Sequence, residues 1–245
     1  MKKVWMWLLL LSVFLWSEGA SKATPLGVDA QVKQLLVKMI KANGAEVAAE
    51  KLKSLRVAHS VEMTGMGMKM EIELFSTTNS GLLVSKMNGM EMARQGFDGK
   101  EAWSKDMMMG LRVLDGQERL TMMQATLLGN YNPLSVYDQV FLGEENNFKG
   151  KKVVELIGKK DGLPNNHYYV DSETWLVAGN RTVQSGPQGE IPALIVVEEY
   201  QTLKTGFKYP STMSIYAGPM KMTMKAVSFK ENPDLTDIEF SKPKG

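Results

Sequence analysis

The side chains with the most chemistry to offer in this sequence are thioethers. Nineteen methionines lie along 245 residues, against two histidines and no cysteine. They gather in four runs, at 63–70 (MTGMGMKM), 87–92 (MNGMEM), 106–109 (DMMM) and 220–224 (MKMTM). In an extended chain alternate residues share a face, so Met66, Met68 and Met70 project together, as do Met220, Met222 and Met224 on another strand. Three chemistries fit. The methionines can fill a core, the default for period-two apolar residues on a half-buried sheet. They can line a deformable pocket, since an unbranched, polarisable side chain adapts to an irregular hydrophobic ligand where valine or isoleucine would not. They can also ligate Cu(I), for which a soft thioether is suited. The lack of cysteine and the scarcity of histidine weigh against a tight metal site.

Catalytic patterns are missing. His59 and His167 have no histidine or cysteine partner at ligand spacing, so no metal or cofactor is assigned. The acidic pairs Glu144-Glu145 and Glu198-Glu199 are adjacent, which in a strand points them to opposite faces and rules them out as an acid/base dyad. No nucleophile elbow, phosphate loop, dinucleotide fingerprint or HExxH helix occurs. Asn180-Arg181-Thr182 matches a glycosylation sequon, a short pattern common by chance. The reading is a protein that is not an enzyme; a hydrolase would need titratable groups that converge only in the folded chain.

The elements that must position these residues come in two kinds. Asp29 to Ala42 carries Val32, Leu35, Leu36, Met39 and Ile40 at helical spacing, with Asp29 as N-cap and Asn43-Gly44 as the stop. A second short helix follows from Ala45 to Leu52. From Arg56 the period changes from 3.6 to 2. Val57–Met63 and Met66–Phe75 pair around Thr64-Gly65, and in the second arm Met66, Met68, Met70, Ile72 and Leu74 alternate with polar or small residues. Gly81–Met87 and Met90–Phe97 pair around Asn88-Gly89, a strong hairpin turn, and Asp98-Gly99 leads into Glu101–Ser104. Asp115 to Leu128 returns to a helical pattern. Strands then resume at Lys151–Gly158, Asn166–Val170, Trp175–Val183, Leu194–Leu203, Thr212–Tyr216 and Met220–Phe229, with Pro210 and Pro219 marking edges or turns. Turns arrive every ~8–14 residues and crossover helices are absent, so the sheet should be antiparallel.

Residues 1–23 read as a signal peptide and its cleavage region. Lys2 and Lys3 precede an apolar run from Val4 to Trp16, which as a helix spans about 20 Å and falls short of the roughly 30 Å bilayer core. The small residues after it suit cleavage after Gly19, Ala20 or Ala23; the alternative is an uncleaved N-terminal anchor. Residues 24–245 read as one domain with no linker or repeat, large enough for one substantial core. The chain carries 29 Lys and Arg against 27 Asp and Glu, a net +2, and the signs are interspersed, which excludes the basic surface of a nucleic-acid binder. No later apolar stretch is long enough to span a membrane.

Four local phrases in this order resemble the periplasmic outer-membrane lipoprotein-sorting proteins, the LolA-like group. A helix followed by Leu52-Lys53-Ser54-Leu55-Arg56-Val57 resembles that family's lead into its first strand. Gly96-Phe97-Asp98-Gly99-Lys100-Glu101-Ala102-Trp103 resembles its central hairpin. Tyr168 to Val177 resembles its late hairpin, and Phe207-Lys208-Tyr209-Pro210 with the Met220–Phe229 strand and Asn232-Pro233 resembles its C-terminal end. The resemblance implies an α+β, mainly antiparallel fold, a curved and incomplete β-barrel whose concave face is covered by helices. It also implies a periplasmic protein that binds lipid or lipoprotein acyl chains in an apolar cavity. Met66, Met68, Met70, Ile72, Leu74, Trp103, Met220, Met222 and Met224 are the expected lining. Where lipoprotein carriers place an arginine beside a proline before the third strand to latch the lid, this chain reads Ser76-Thr77-Thr78-Asn79-Ser80-Gly81. The alternatives are an envelope sensor or interaction module that docks a partner protein, and a methionine-rich Cu(I) binder.

Overall fold

The computed structural model describes residues 29–65, 67–186 and 189–244. The expected signal peptide and Met66 lie outside them. The chain opens with helices α1 (Ala30–Ala42) and α2 (Ala45–Lys51). Asp29 caps α1, its carboxylate accepting from the Gln31 backbone N–H at 2.8 Å. Gly44 stops it in the left-handed region at φ 77°, where a side chain would also meet the Gly206 carbonyl at 2.2 Å.

Six strands follow: β1 (Ser54–Met63), β2 (Met68–Thr77), β3 (Gly81–Met87), β4 (Met90–Phe97), β5 (Ala102–Asp106) and β6 (Gly110–Leu114). Two helices come next, α3 (Gly116–Gln124) and α4 (Leu127–Tyr131). Seven more strands complete the fold: β7 (Gln139–Phe148), β8 (Lys151–Lys159), β9 (Asn166–Asp171), β10 (Val177–Gly186), β11 (Gly189–Thr202), β12 (Lys208–Ala217) and β13 (Met220–Glu231). All thirteen form one sheet in the order β6-β5-β4-β3-β2-β1-β13-β12-β11-β10-β9-β8-β7, and every pairing is antiparallel. Two meanders are thus joined through β1 and β13. The sheet curves without closing, with β6 and β7 as its edges, and α3 and α4 carry the chain from one edge to the other.

Two apolar clusters fill the concave side. The larger joins inward residues of β1, β2, β12 and β13 to Ala45, Ala48 and Leu52 of the first helices and to Met122, Leu127 and Tyr131 of the later ones. The smaller joins Val32, Leu35 and Met39 of α1 to Leu120, Tyr137, Leu156, Tyr168 and Val170. On the convex side, Phe75, Leu82, Val84 and Trp103 are covered by Leu235, Ile238 and Phe240 of the C-terminal segment.

The structure corrects four sequence expectations. The single helix expected over Asp115–Leu128 is two, because Thr126 starts a new one with its hydroxyl accepting from the Gly129 N–H at 2.6 Å. Strands β6 and β7, the two edges, were not expected at all. Pro210 lies inside an interior strand, opposite Tyr200 beside a register shift in β11; the shift accommodates a residue with no N–H to give. Trp103 faces the convex side, in the cluster under the C-terminal segment. Its indole N–H donates to the Phe240 carbonyl at 2.8 Å, and Gly96 opposite it leaves room for the ring, since a Cβ there would lie 2.5 Å from the indole.

Candidate functional site

The floor of the concave side is a field of thioethers set by register. Val61 of β1 stands between Met70 of β2 and Met224 of β13, and Met224 faces Met213 of β12. One row over, Met63 stands between Met68 and Met222. Met63, Met70, Met213, Met222 and Met224 are all buried, and Met68 and Met87 pack against them from the half-exposed end. Each buried apolar side chain contributes about 1.5–3 kcal/mol to the fold, so the floor is part of the core.

A histidine enters this floor beside the phenol of Tyr209. His59 lies between Ile72 and Ala226 in the ladder and shares a 3.0 Å hydrogen bond with the Tyr209 hydroxyl. Burial pushes its pKa down to about 4, with the Ile72 backbone acting the other way. The imidazole is therefore neutral at ordinary pH. His167, on the outward face of β9, pairs with Glu155 at 3.0 Å. Among the described residues no group of three or more histidine, aspartate or glutamate side chains is arranged to hold a metal ion.

The roof is built from the four helices. In the stretch where the family resemblance would place an arginine beside a proline, the contacts to the helices are made by hydroxyl and backbone groups. The Ser76 hydroxyl donates to the Ala125 carbonyl at 2.7 Å, and the Leu128 N–H donates to the Thr78 carbonyl at 3.1 Å. Gly81 permits this close approach, because a Cβ there would sit 2.7 Å from the same Ala125 oxygen. Over the other half, Lys38 of α1 places its ammonium 4.2 Å from the centroid of the Trp175 ring. Trp175 occupies the left-handed region at φ 59°, unusual for so bulky a residue. Beside it a recess of about 10 Å³ is lined by Met39, Asn43, Asn130, Val177, Tyr200 and Lys208, among others. That is room for about one water.

A band of buried carboxamides and hydroxyls crosses the hollow beneath α3. Gln117 donates to the Thr182 hydroxyl at 3.5 Å and accepts from Asn166 at 3.4 Å, both long. Gln124, two turns along the helix, donates to the Tyr168 hydroxyl at 2.9 Å. Burial raises the Tyr168 pKa to about 12, so it stays a neutral phenol. Asn180 lies opposite Tyr168 on the same inward face.

Of the residues expected to line the site, Met70, Ile72, Leu74, Met222 and Met224 lie together in the larger cluster, with Met68 packed against it. Met220, also buried, sits at the start of β13 opposite Ala217. Trp103 is elsewhere, as described. The run at 106–109 behaves differently again: Met107, Met108 and Met109 are 74%, 51% and 42% exposed, held in a turn where Asp106 accepts from the N–H groups of Met108 and Met109. Sequence reasoning passed over Gln117, Gln124 and Asn166. The signal available was the spacing of Gln117, Thr121 and Gln124 on one face of α3, all buried.

This arrangement, an open antiparallel barrel with helices across its concave side, defines the LolA-type fold, and comparison with solved structures bears that out. The chain is similar to a LolA superfamily protein from Nitrosomonas europaea (TM-score 0.59, 12% identity, 86% of this chain and 97% of that one). It is similar also to a DUF1329 family protein from Desulfovibrio piger (TM-score 0.57, 12% identity, 86% and 97%). A protein described as an outer membrane lipoprotein-sorting domain, from Vibrio parahaemolyticus, matches with TM-score 0.57 at 8% identity over 86% and 97%. No protein-family model and no curated protein matches the sequence.

Proposed function

We propose that this chain is an exported, periplasmic carrier or binding protein for acyl chains of lipids or lipoproteins, and not an enzyme. The observation that carries the reading is the thioether floor: Met63, Met68, Met70, Met213, Met222 and Met224 cluster on the inward face of an open barrel. Branched residues would pack a fixed core better there; unbranched ones re-pack around a guest. The fold shared with a protein described as lipoprotein-sorting supports the same reading.

The recess beside Trp175 has room for about one water, so loading a chain past it requires the roof to move. Helix α1 is the element to move, since its outer hold is the exposed Lys38–Trp175 contact beside the recess. The ligand would then contact Met68, Met70, Ile72, Leu74, Met222 and Met224. Burial of a guest chain would contribute about 0.8 kcal/mol per methylene, with no charged anchor needed. Native mass spectrometry of protein isolated from bacterial envelopes should show co-purified lipid, and a fluorescent fatty acid should bind the stripped protein. Clean spectra together with no probe response would overturn the reading.

One observation favours a second reading, an envelope interaction module. The outer edge carries Met107, Leu111 and Val113 exposed around an unpaired strand side, and such an edge can take a partner's strand. That reading predicts a protein partner lost on replacing Leu111 and Val113 with lysine, with no lipid bound.

A further inference from the structure

We infer that the polar band beneath α3 reads a secondary amide on the bound acyl chain. The inference rests on the acyl-chain reading above and names what the site selects. Three side-chain atoms in the band are buried with no hydrogen-bond partner: Gln124 Oε1, Asn166 Oδ1 and Asn180 Nδ2. Their residues are 1%, 0% and 4% exposed. Buried polar groups are nearly always paired, so these three, carried by α3 and by the inward faces of the neighbouring strands β9 and β10, mark places where hydrogen bonds are left for something else to make.

The chemistry of the open positions is specific. Two are acceptors and one is a donor, and none is charged. A carboxylate or phosphate brought there would lose its water and meet no counter-charge, at a heavy desolvation penalty. An ester carries only acceptors, so it can satisfy Asn180 and leaves both carbonyl oxygens unmet. A secondary amide carries one donor and one acceptor, and so answers Asn180 and one of the acceptors together. The band also lies where a chain would pass. Leu120 of α3 belongs to the smaller apolar cluster and Met122 to the larger, while Met123 packs against both. Hydrocarbon on either side of the band would leave the amide at the carboxamides.

The test is competitive displacement of a fluorescent fatty acid by N-methylpalmitamide and by methyl palmitate, which have matched chains. Wild-type protein should bind the amide about tenfold more tightly than the ester, the order expected for one additional buried hydrogen bond. Replacing Gln124 and Asn166 together by leucine removes both acceptors that only an amide N–H can meet, and should bring that ratio close to one. Asn180→Leu removes the donor that amide and ester share, and should weaken both ligands while the ratio stays near tenfold; a ratio that collapses in Asn180→Leu alone would overturn the assignment. Equal affinity of wild type for amide and ester, with the probe bound normally, would sink this inference and leave the carrier reading standing. Failure of wild type to bind the probe at all would remove both.

Discussion

Acid should loosen this barrel from the inside, through one residue. His59 is 1% exposed, and its pKa falls from 6.5 to about 4 because burial disfavours the imidazolium. An unfolded chain takes up a proton at this position near pH 6.5, whereas the folded chain does not until near pH 4. Between those values the unfolded state binds more protons, so stability falls as the pH falls. At about 1.36 kcal/mol per pH unit, the interval of two and a half units removes about 3 kcal/mol. Against a typical domain stability of about 5–15 kcal/mol that is a large share. Urea unfolding at pH 7.5, 6, 5 and 4 should be compared between wild type and His59→Gln, which keeps a polar partner for Tyr209 and does not titrate in this range. The other titrating groups are common to both proteins and cancel in the difference. The gap between the two proteins should change by about 3 kcal/mol from pH 7.5 to pH 4, in the direction that favours the variant at low pH. Parallel curves across that range would show that water reaches the imidazole and that the interior is not closed as described.

Other perturbations follow from contacts already given. Met224→Ala, at a fully buried position, should lower stability by about 2–5 kcal/mol while Met224→Leu stays within about 1.5 kcal/mol; denaturant unfolding that finds the alanine variant near wild type would mean the floor is not packed. Trp175→Ala removes the contact with Lys38, worth about 0.5–1 kcal/mol at an exposed site, and should speed fatty-acid uptake about two- to fivefold in stopped-flow fluorescence; an unchanged rate would argue against α1 as the moving element. Gly96→Ala places a methyl 2.5 Å from the Trp103 indole and should cost about 1–3 kcal/mol with an altered near-ultraviolet circular dichroism band, and an unaltered band would contradict the packing under the C-terminal segment.

The central hairpins were legible because each has one wet and one dry face, and because Asn88-Gly89 and Thr64-Gly65 demand turns. Helix α1 was legible for a similar reason, its apolar stripe being bounded by Asp29 and Gly44. The edge strands were not, and β6 shows why. Its outward residues Leu111 and Val113 are exposed, while its inward Arg112 meets Glu118 of α3 at 2.6 Å. The usual pattern is inverted, because a helix supplies a counter-charge inside and the edge leaves one side open. Trp103 was misplaced because both faces of β3 and β5 carry apolar residues. Only the later return of Leu235, Ile238 and Phe240 decides which face is which. The polar band was hidden because isolated asparagines and glutamines look like surface, and Asn180 drew notice only as a sequon, although it is buried in β10.

The pairing of β1 with β13 has a consequence for how the molecule is made. Strand β1 pairs at once with β2 but finds its second partner only in the last strand, so an incomplete chain carries β1 with one side bare and its inward residues wet. Closing so long a loop is slow, and bare edges invite aggregation meanwhile. A chain of this design gains by staying unfolded until its final strand has been delivered, and truncations that remove β13 should yield insoluble product even when every earlier strand is intact.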